Sequence, residues 1–142
     1  MAEVQNYVRL EFSAKDSNVA VARLAAASFC ADLGFTLTDI EEIKVAVSEG
    51  VSNAMIHGYC GDENRNVEVT FTVQDGFLEI LIKDDGVGIE DVKRAMEPAY
   101  STIADRMGLG FVFMSSFMDT LDVQSAPNCG TLVRMQKRCP VL

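Results

Sequence analysis

The sequence has little of what marks a metalloprotein, a membrane protein or a nucleic-acid binder. It holds one histidine and four cysteines in 142 residues. Cys30, Cys60, Cys129 and Cys139 form no Cys-x-x-Cys pair. Structural zinc needs four closely placed N or S ligands, so a zinc site is disfavoured and reduced thiols are expected. Basic residues are scarce: 12 Lys+Arg against 21 Asp+Glu leave a formal net charge of −9. Such a chain repels polyanions, so neither nucleic acid nor anionic lipid is expected as a general partner. No run reaches the roughly 18–20 apolar residues of a membrane span. The start, Met1-Ala2-Glu3-Val4, lacks the basic residues and apolar stretch of a signal peptide. A cytoplasmic protein with no membrane partner is expected.

Several catalytic signatures are missing too. There is no Gly-x-x-x-x-Gly-Lys-Ser/Thr phosphate loop and no Gly-x-Ser-x-Gly nucleophile turn. The single histidine has no convincing partners for a Ser/His/Asp triad. No repeat, linker or low-complexity tract interrupts the chain. With 49% apolar residues, one domain spanning residues 1–142 is expected, with a core that needs no staple.

What is present reads as alternating strands and helices. Residues 7–12 alternate as a strand does. Residues 17–33 are Ala-rich, with Val21, Leu24, Ala25, Ala27 and Phe29 as an apolar stripe, so they read as a helix capped by Ser17 and stopped by Gly34. A second helix follows Thr36 or Thr38, where Thr38 to Glu41 has the form of a capping box. It runs to about Ile56 on a stripe of Ile40, Ile43, Val47, Val51 and Ala54, and His57-Gly58 ends it. Residues 66–73 and 77–83 are strands joined by the turn Gln74-Asp75-Gly76. Residues 90–95 suit a short helix, residues 98–106 a loop, and residues 111–118 a buried helix opened by Gly108-Leu109-Gly110. Residues 120–124 and 131–136 are closing strands. The order predicts an α+β fold: a two-layer sandwich with helices on one face of a mixed or antiparallel sheet.

Four short patterns carry chemistry. Glu49, Asn53 and His57 are spaced i, i+4, i+8 and share one helix face. At 3.6 residues per turn, position 49 lies about 200° from core position 47. Taken alone, this polar face fits a solvated surface as well as a site. Asp84-Asp85-Gly86-Val87-Gly88 closes a strand. Its carboxylate can accept a hydrogen bond from an amine such as that of adenine, and its glycines let backbone approach a flat ligand; a tight turn uses the same residues. Gly108-Leu109-Gly110 ahead of a helix suits a phosphate or a hinge, with Arg106 beside it supplying positive charge. Gly130-Thr131 opens the last strand and reads equally as a hairpin turn.

The four patterns together, in this order, resemble the Bergerat-fold ATPases, which include gyrase B, MutL and the histidine kinases. Glu49 to Ala54 matches the N box, Asp84 to Gly88 and Gly108 to Gly110 the two glycine boxes, and Gly130-Thr131 the last motif. Residues 47–59, with Phe12 to Ala14, Asp84 to Ile89, Gly108 to Phe111, Met114 and residues 117–119, resemble the anti-sigma factors with serine kinase activity, above all the sporulation members. The likeness covers nearly the whole chain.

The resemblance implies a Bergerat ATP-binding fold that uses ATP and Mg²⁺. It implies Glu49 as general base for a serine hydroxyl, Asn53 as Mg²⁺ ligand and Asp84 as reader of the adenine amine, with Thr131 close by. Gly86 and Gly88 would shape the base pocket. Gly108 and Gly110 would hinge a lid and meet the phosphates, with Arg106 and Thr102 reaching the terminal phosphate. Arg23 would meet protein partners. A sigma factor, an anti-anti-sigma protein as serine substrate and a homodimer are the implied partners. Within this pattern Ile103 stands where a basic residue is common, and Gly50 replaces an alanine at roughly 1 kcal/mol of helix propensity. The alternatives are a module that holds ATP and a partner without transfer, and the ATPase module of a histidine kinase.

Overall fold

The computed structural model describes residues 4–97 and 104–140, the backbone alone for 104–109. Strands β1 (Val4–Ser13), β2 (Asn66–Gln74), β3 (Phe77–Asp84), β4 (Thr120–Ser125) and β5 (Thr131–Arg138) form one sheet in the order β1-β2-β3-β5-β4. Every neighbouring pair is antiparallel, so the mixed alternative falls away. The helices are α1 (Val19–Cys30), α2 (Leu37–Asn53), α3 (Val92–Ala95) and α4 (Ala104–Phe117).

Alternation along the central strands decides the layers. Val67, Val69, Phe71 and Val73 of β2 and Leu78, Ile80 and Ile82 of β3 are buried under Ala26 and Phe29 of α1, Ile43, Val47 and Val51 of α2, and Phe111 and Met114 of α4. Fully burying one such Val, Leu, Ile, Phe or Met contributes about 1.5–3 kcal/mol, so this face holds the fold together. The other face is polar, with Arg9 on Glu68 and Arg134 on Glu79, each at 2.8 Å. Exposed pairs of this kind add little stability but keep the open face wet. Between β2 and β3, Asp75 and Gly76 have φ of 54° and 77°, the left-handed pair a two-residue hairpin needs.

Helix ends depart from the sequence expectation in three places. Ser17 does not cap α1: it lies inside a 3₁₀ turn, Asp16–Asn18, and Asn18 precedes the helix without a side-chain cap. The buried face of α1 is Ala22, Ala26, Phe29 and Cys30, while Val21 and Leu24 are 48% and 68% exposed. Small alanines let α1 lie close to its neighbours, and that contact outweighs the larger side chains. The capping box of α2 is Thr36 with Asp39, the hydroxyl accepting from the Asp39 amide and the Asp39 carboxylate from the Thr36 amide, both at 3.0 Å. An aspartate three residues on serves as well as a glutamate, and Thr36 comes first in the chain.

The third departure bears on the site. His57-Gly58 does not end the helix; a π-turn, Ala54–Gly58, continues it, with Tyr59 N donating to Ala54 O. A Cβ at Gly50 would lie 2.3 Å from Ile82 Cδ1, so an alanine there requires the end of that buried side chain to shift.

Candidate functional site

Asp84 is the last residue of β3 and pairs across the ladder with Thr131, the first of β5. It is 6% exposed, and its Oδ1 accepts from the Gly86 amide at 2.9 Å. Burial pushes its pKa up to about 6; Asp85 adds to this, and the Gly86 amide, Arg65 and the Thr131 amide oppose it. Room for this carboxylate comes from Gly58, where a Cβ would lie 2.7 Å from Asp84 Oδ1. The glycine read as a helix stop is thus a wall of the site.

Three loops interlock here, backbone against backbone. A Cβ on Gly86 would lie 2.0 Å from Gly58 O, and Val87 N donates to that same carbonyl at 2.9 Å. Gly88 has φ of 76°, and a Cβ there would lie 1.9 Å from Ala126 O. Asn128 N donates to Val87 O at 2.7 Å, and Gly130 N to Gly86 O at 3.1 Å. Ser125, which the sequence did not single out, joins β4 to this knot. Its hydroxyl accepts from Ile89 N, donates to Gly130 O and meets Thr131 Oγ1, each at 2.8 Å.

On the helix side, Glu49 and Asn53 of α2 face α4 at Gly110. A Cβ at Gly110 would lie 3.0 Å from Asn53 Nδ2 and 3.1 Å from Glu49 Oε2. Asn53 is 9% exposed, and its Nδ2 has no hydrogen-bond partner among the described residues. The polar face of α2 is therefore covered at Asn53, while Glu49 and His57 are half-buried. A buried amide in this condition costs about 1–3 kcal/mol, the cost expected where a ligand completes the bonding. Asn53, His57 and Gly58 line one cavity with Asp84, Gly88, Phe111 and Thr131. The cavity measures about 20 Å³, room for about one water.

The structure thus brings Glu49, Asn53, Asp84, Gly86, Gly88, Gly110 and Thr131 around one region. Gly108 and Gly110 do not open a helix: α4 starts at Ala104 and contains both, so the expected loop over residues 98–106 is helical from 104 on. The backbone of Arg106 lies in the first turns of α4, and Thr102 lies outside the described residues. Arg23 is exposed on α1 and is not among the residues lining the cavity. Among the described residues no three His, Cys, Asp or Glu side chains cluster as a metal cage. The fit to a divalent ion therefore rests on the Asn53 amide, whose oxygen is a hard donor suited to Mg²⁺ when phosphate oxygens supply other ligands.

Residues 12–137 match the histidine kinase-like ATPase domain. The chain belongs to this family. It is 44% identical over 140 residues to the anti-sigma F factor of Clostridium botulinum, covering 97% of this chain and 98% of that one. The anti-sigma F factor of Geobacillus kaustophilus is 40% identical over 136 residues, covering 94% and 93%. Among solved structures, the RsbU and RsbW domains of a Mycobacterium tuberculosis protein match with a TM-score of 0.66 at 19% identity, over 94% of this chain and 32% of that one. A histidine kinase domain from Erythrobacter litoralis matches with a TM-score of 0.59 at 19% identity, over 87% and 60%. These two likenesses show the fold. No helix among the described residues is long and apolar enough to cross a membrane. A domain of this family binds ATP, and the cavity here is lined from α2, the end of β3, the loop after it, α4 and β5.

Proposed function

We propose that this chain is an ATP-dependent protein serine kinase and anti-sigma factor, acting in the cytoplasm, that sequesters a sigma factor and phosphorylates an anti-anti-sigma protein. One observation carries the reading: Glu49 and Asn53, a carboxylate and a buried amide whose Nδ2 has no partner among the described residues, face the same glycine of α4 beside the cavity that Asp84 lines. The curated relatives at 40–44% identity, named anti-sigma F factors, supply the partner class.

In this reading Asp84 accepts a hydrogen bond from the adenine amine, with Thr131 beside it. Gly110, and by the motif Gly108, lets the phosphates approach α2, and the motif assigns Arg106 and Thr102 to the terminal phosphate. Asn53 would hold a Mg²⁺ that offsets charge on the phosphates. Glu49 takes the proton of the substrate serine as its oxygen bonds to the terminal phosphorus and the bond to the ADP oxygen breaks, so atoms and charge balance. Positioning and charge neutralisation do most of the work in such a transfer. Arg23, exposed beside Val21 and Leu24 on α1, offers a cation on an apolar face for a protein partner, and Tyr7 and Val8 on the edge strand β1 suit a second copy of the chain.

A second reading, an ATP holder that transfers nothing, is favoured by α4 running as helix through Gly108 and Gly110 against the catalytic pair. Incubation with radiolabelled ATP and the candidate antagonist separates the two. Label on a serine of the antagonist, lost in Glu49→Ala at unchanged ATP affinity, supports the kinase. Transfer by Glu49→Ala at the wild-type rate removes the base assignment. No transfer by the wild type, with ATP bound, leaves the holder.

A further inference from the structure

Tyr59 follows the π-turn and is 6% exposed. Packing explains a ring there, but not the use made of the hydroxyl. It donates to Asn66 O at 2.5 Å and accepts from Asp85 N at 2.8 Å. Arg65 lies over the same ring, 4.8 Å from its centroid, and its guanidinium donates to Asp85 O at 2.8 Å. Both backbone polar groups of Asp85 are thus held by side chains from one short segment. Asp85 is the residue between Asp84 and Gly86, and the Gly86 amide in turn holds Asp84 Oδ1. Where Asp85 is pinned therefore sets where the Asp84 carboxylate points.

We infer that Tyr59 and Arg65 are positioning residues for base recognition, fixing the Asp85 backbone so that Asp84 presents its carboxylate to an adenine amine. The inference rests on the reading of Asp84 given above. A hydroxyl held from both sides and a guanidinium stacked on the same ring make one rigid brace, and preorganised acceptors discriminate better than mobile ones because less order is lost on binding. The brace acts on selectivity between purines rather than on phosphate transfer, since Glu49 and Asn53 stand on α2.

The experiment measures calorimetric affinity for ATP and for inosine triphosphate, which carries a carbonyl where adenine has its amine, together with the transfer rate at saturating ATP. Tyr59→Phe keeps the ring and removes the hydroxyl. It should weaken ATP about fivefold, the effect of one lost neutral hydrogen bond, with inosine triphosphate affinity unchanged and the saturated rate within about twofold. Arg65→Gln should move ATP affinity the same way, and it serves if Tyr59→Phe does not fold. In an Asp84→Asn background either substitution should add nothing, because the carboxylate it positions is gone. Equal weakening of both nucleotides, or full effects persisting without Asp84, would overturn the inference in favour of a purely structural role. If Asp84→Asn weakens ATP while Tyr59→Phe and Arg65→Gln leave it unchanged, the brace alone is wrong. If Asp84→Asn leaves ATP unchanged, the base-reading role of Asp84 falls, and the brace with it.

Discussion

At the strand end of the site, from Asp84 to Gly88, the polar groups are spoken for within the protein: Gly86 N by Asp84, Asp85 by Tyr59 and Arg65, Val87 by Gly58 and Asn128. Across the cavity on α2, Asn53 Nδ2 is buried with no partner among the described residues, and Glu49 faces it across the gap left by a missing Cβ at Gly110. The strand-end backbone is held by the protein itself before any ligand arrives. The helix end is left for a ligand to finish. The difference matches what the two ends are asked to do. Recognition of a flat base needs acceptors that do not move, whereas gripping phosphates during transfer needs donors whose bonds are made only when the phosphates are there.

Substitutions that disturb one end without the other sharpen this contrast, and the largest effect is expected on the helix side. Asn53→Ala should lower the transfer rate on the order of 100-fold. Its thermal midpoint should hold or rise, because a buried amide nitrogen with no partner among the described residues is removed. A clear fall in midpoint would mean that the amide is bonded within the protein. Next comes the strand end, where Gly86→Ala should show the reverse. Its Cβ meets the Gly58 carbonyl at 2.0 Å, so stability in urea should fall by about 2–3 kcal/mol. A midpoint within error of wild type would show that the interlocked loops yield.

Asp84→Asn is expected to trade function for stability. The folded chain keeps the Asp84 proton up to about pH 6, whereas the unfolded chain releases it near 3.8. Ionisation therefore works against folding across that window, and the full penalty stands above it. The asparagine variant should be more stable than wild type at pH 8 by about 1 kcal/mol, lose that advantage below pH 4, and bind ATP more weakly. A stability gain independent of pH would break the assignment. The smallest effect is expected at Gly110→Ala. Helix propensity favours alanine by about 1 kcal/mol, yet the added methyl crowds Asn53 and Glu49 at 3.0 and 3.1 Å. Stability should be unchanged or slightly higher while transfer drops about tenfold from misplacement of the pair.

Much of this was legible in the chain. The α+β class, the hairpin at Asp75-Gly76 and the apolar stripe of α2 follow from local periodicity and turn chemistry, which do not depend on distant partners. The four motif segments were legible as a set, and the fold brings residues from all four around one region. What was not legible lay at junctions. A π-turn is set by one hydrogen-bond shift, so His57-Gly58 read as a stop. Phe29 is buried on α1 as expected, but beside it lie Ala22, Ala26 and Cys30 rather than Val21 and Leu24, because close approach of helices favours small residues. Ser125 has no spacing to announce it; it reaches the site from β4.

The sequence by itself determined the polarity of each element and the chemical types available to the site: one carboxylate and one amide a helix turn apart, an acidic strand end, and glycines where backbone must come close. Those are properties of neighbours along the chain, and the chain carries them wherever it goes. Only the tertiary structure decided that Gly58 makes room for Asp84, that Asn53 Nδ2 is buried with no partner among the described residues, and that Tyr59 and Arg65 brace Asp85. Each depends on distances between segments tens of residues apart, and packing of the core against the sheet sets those distances.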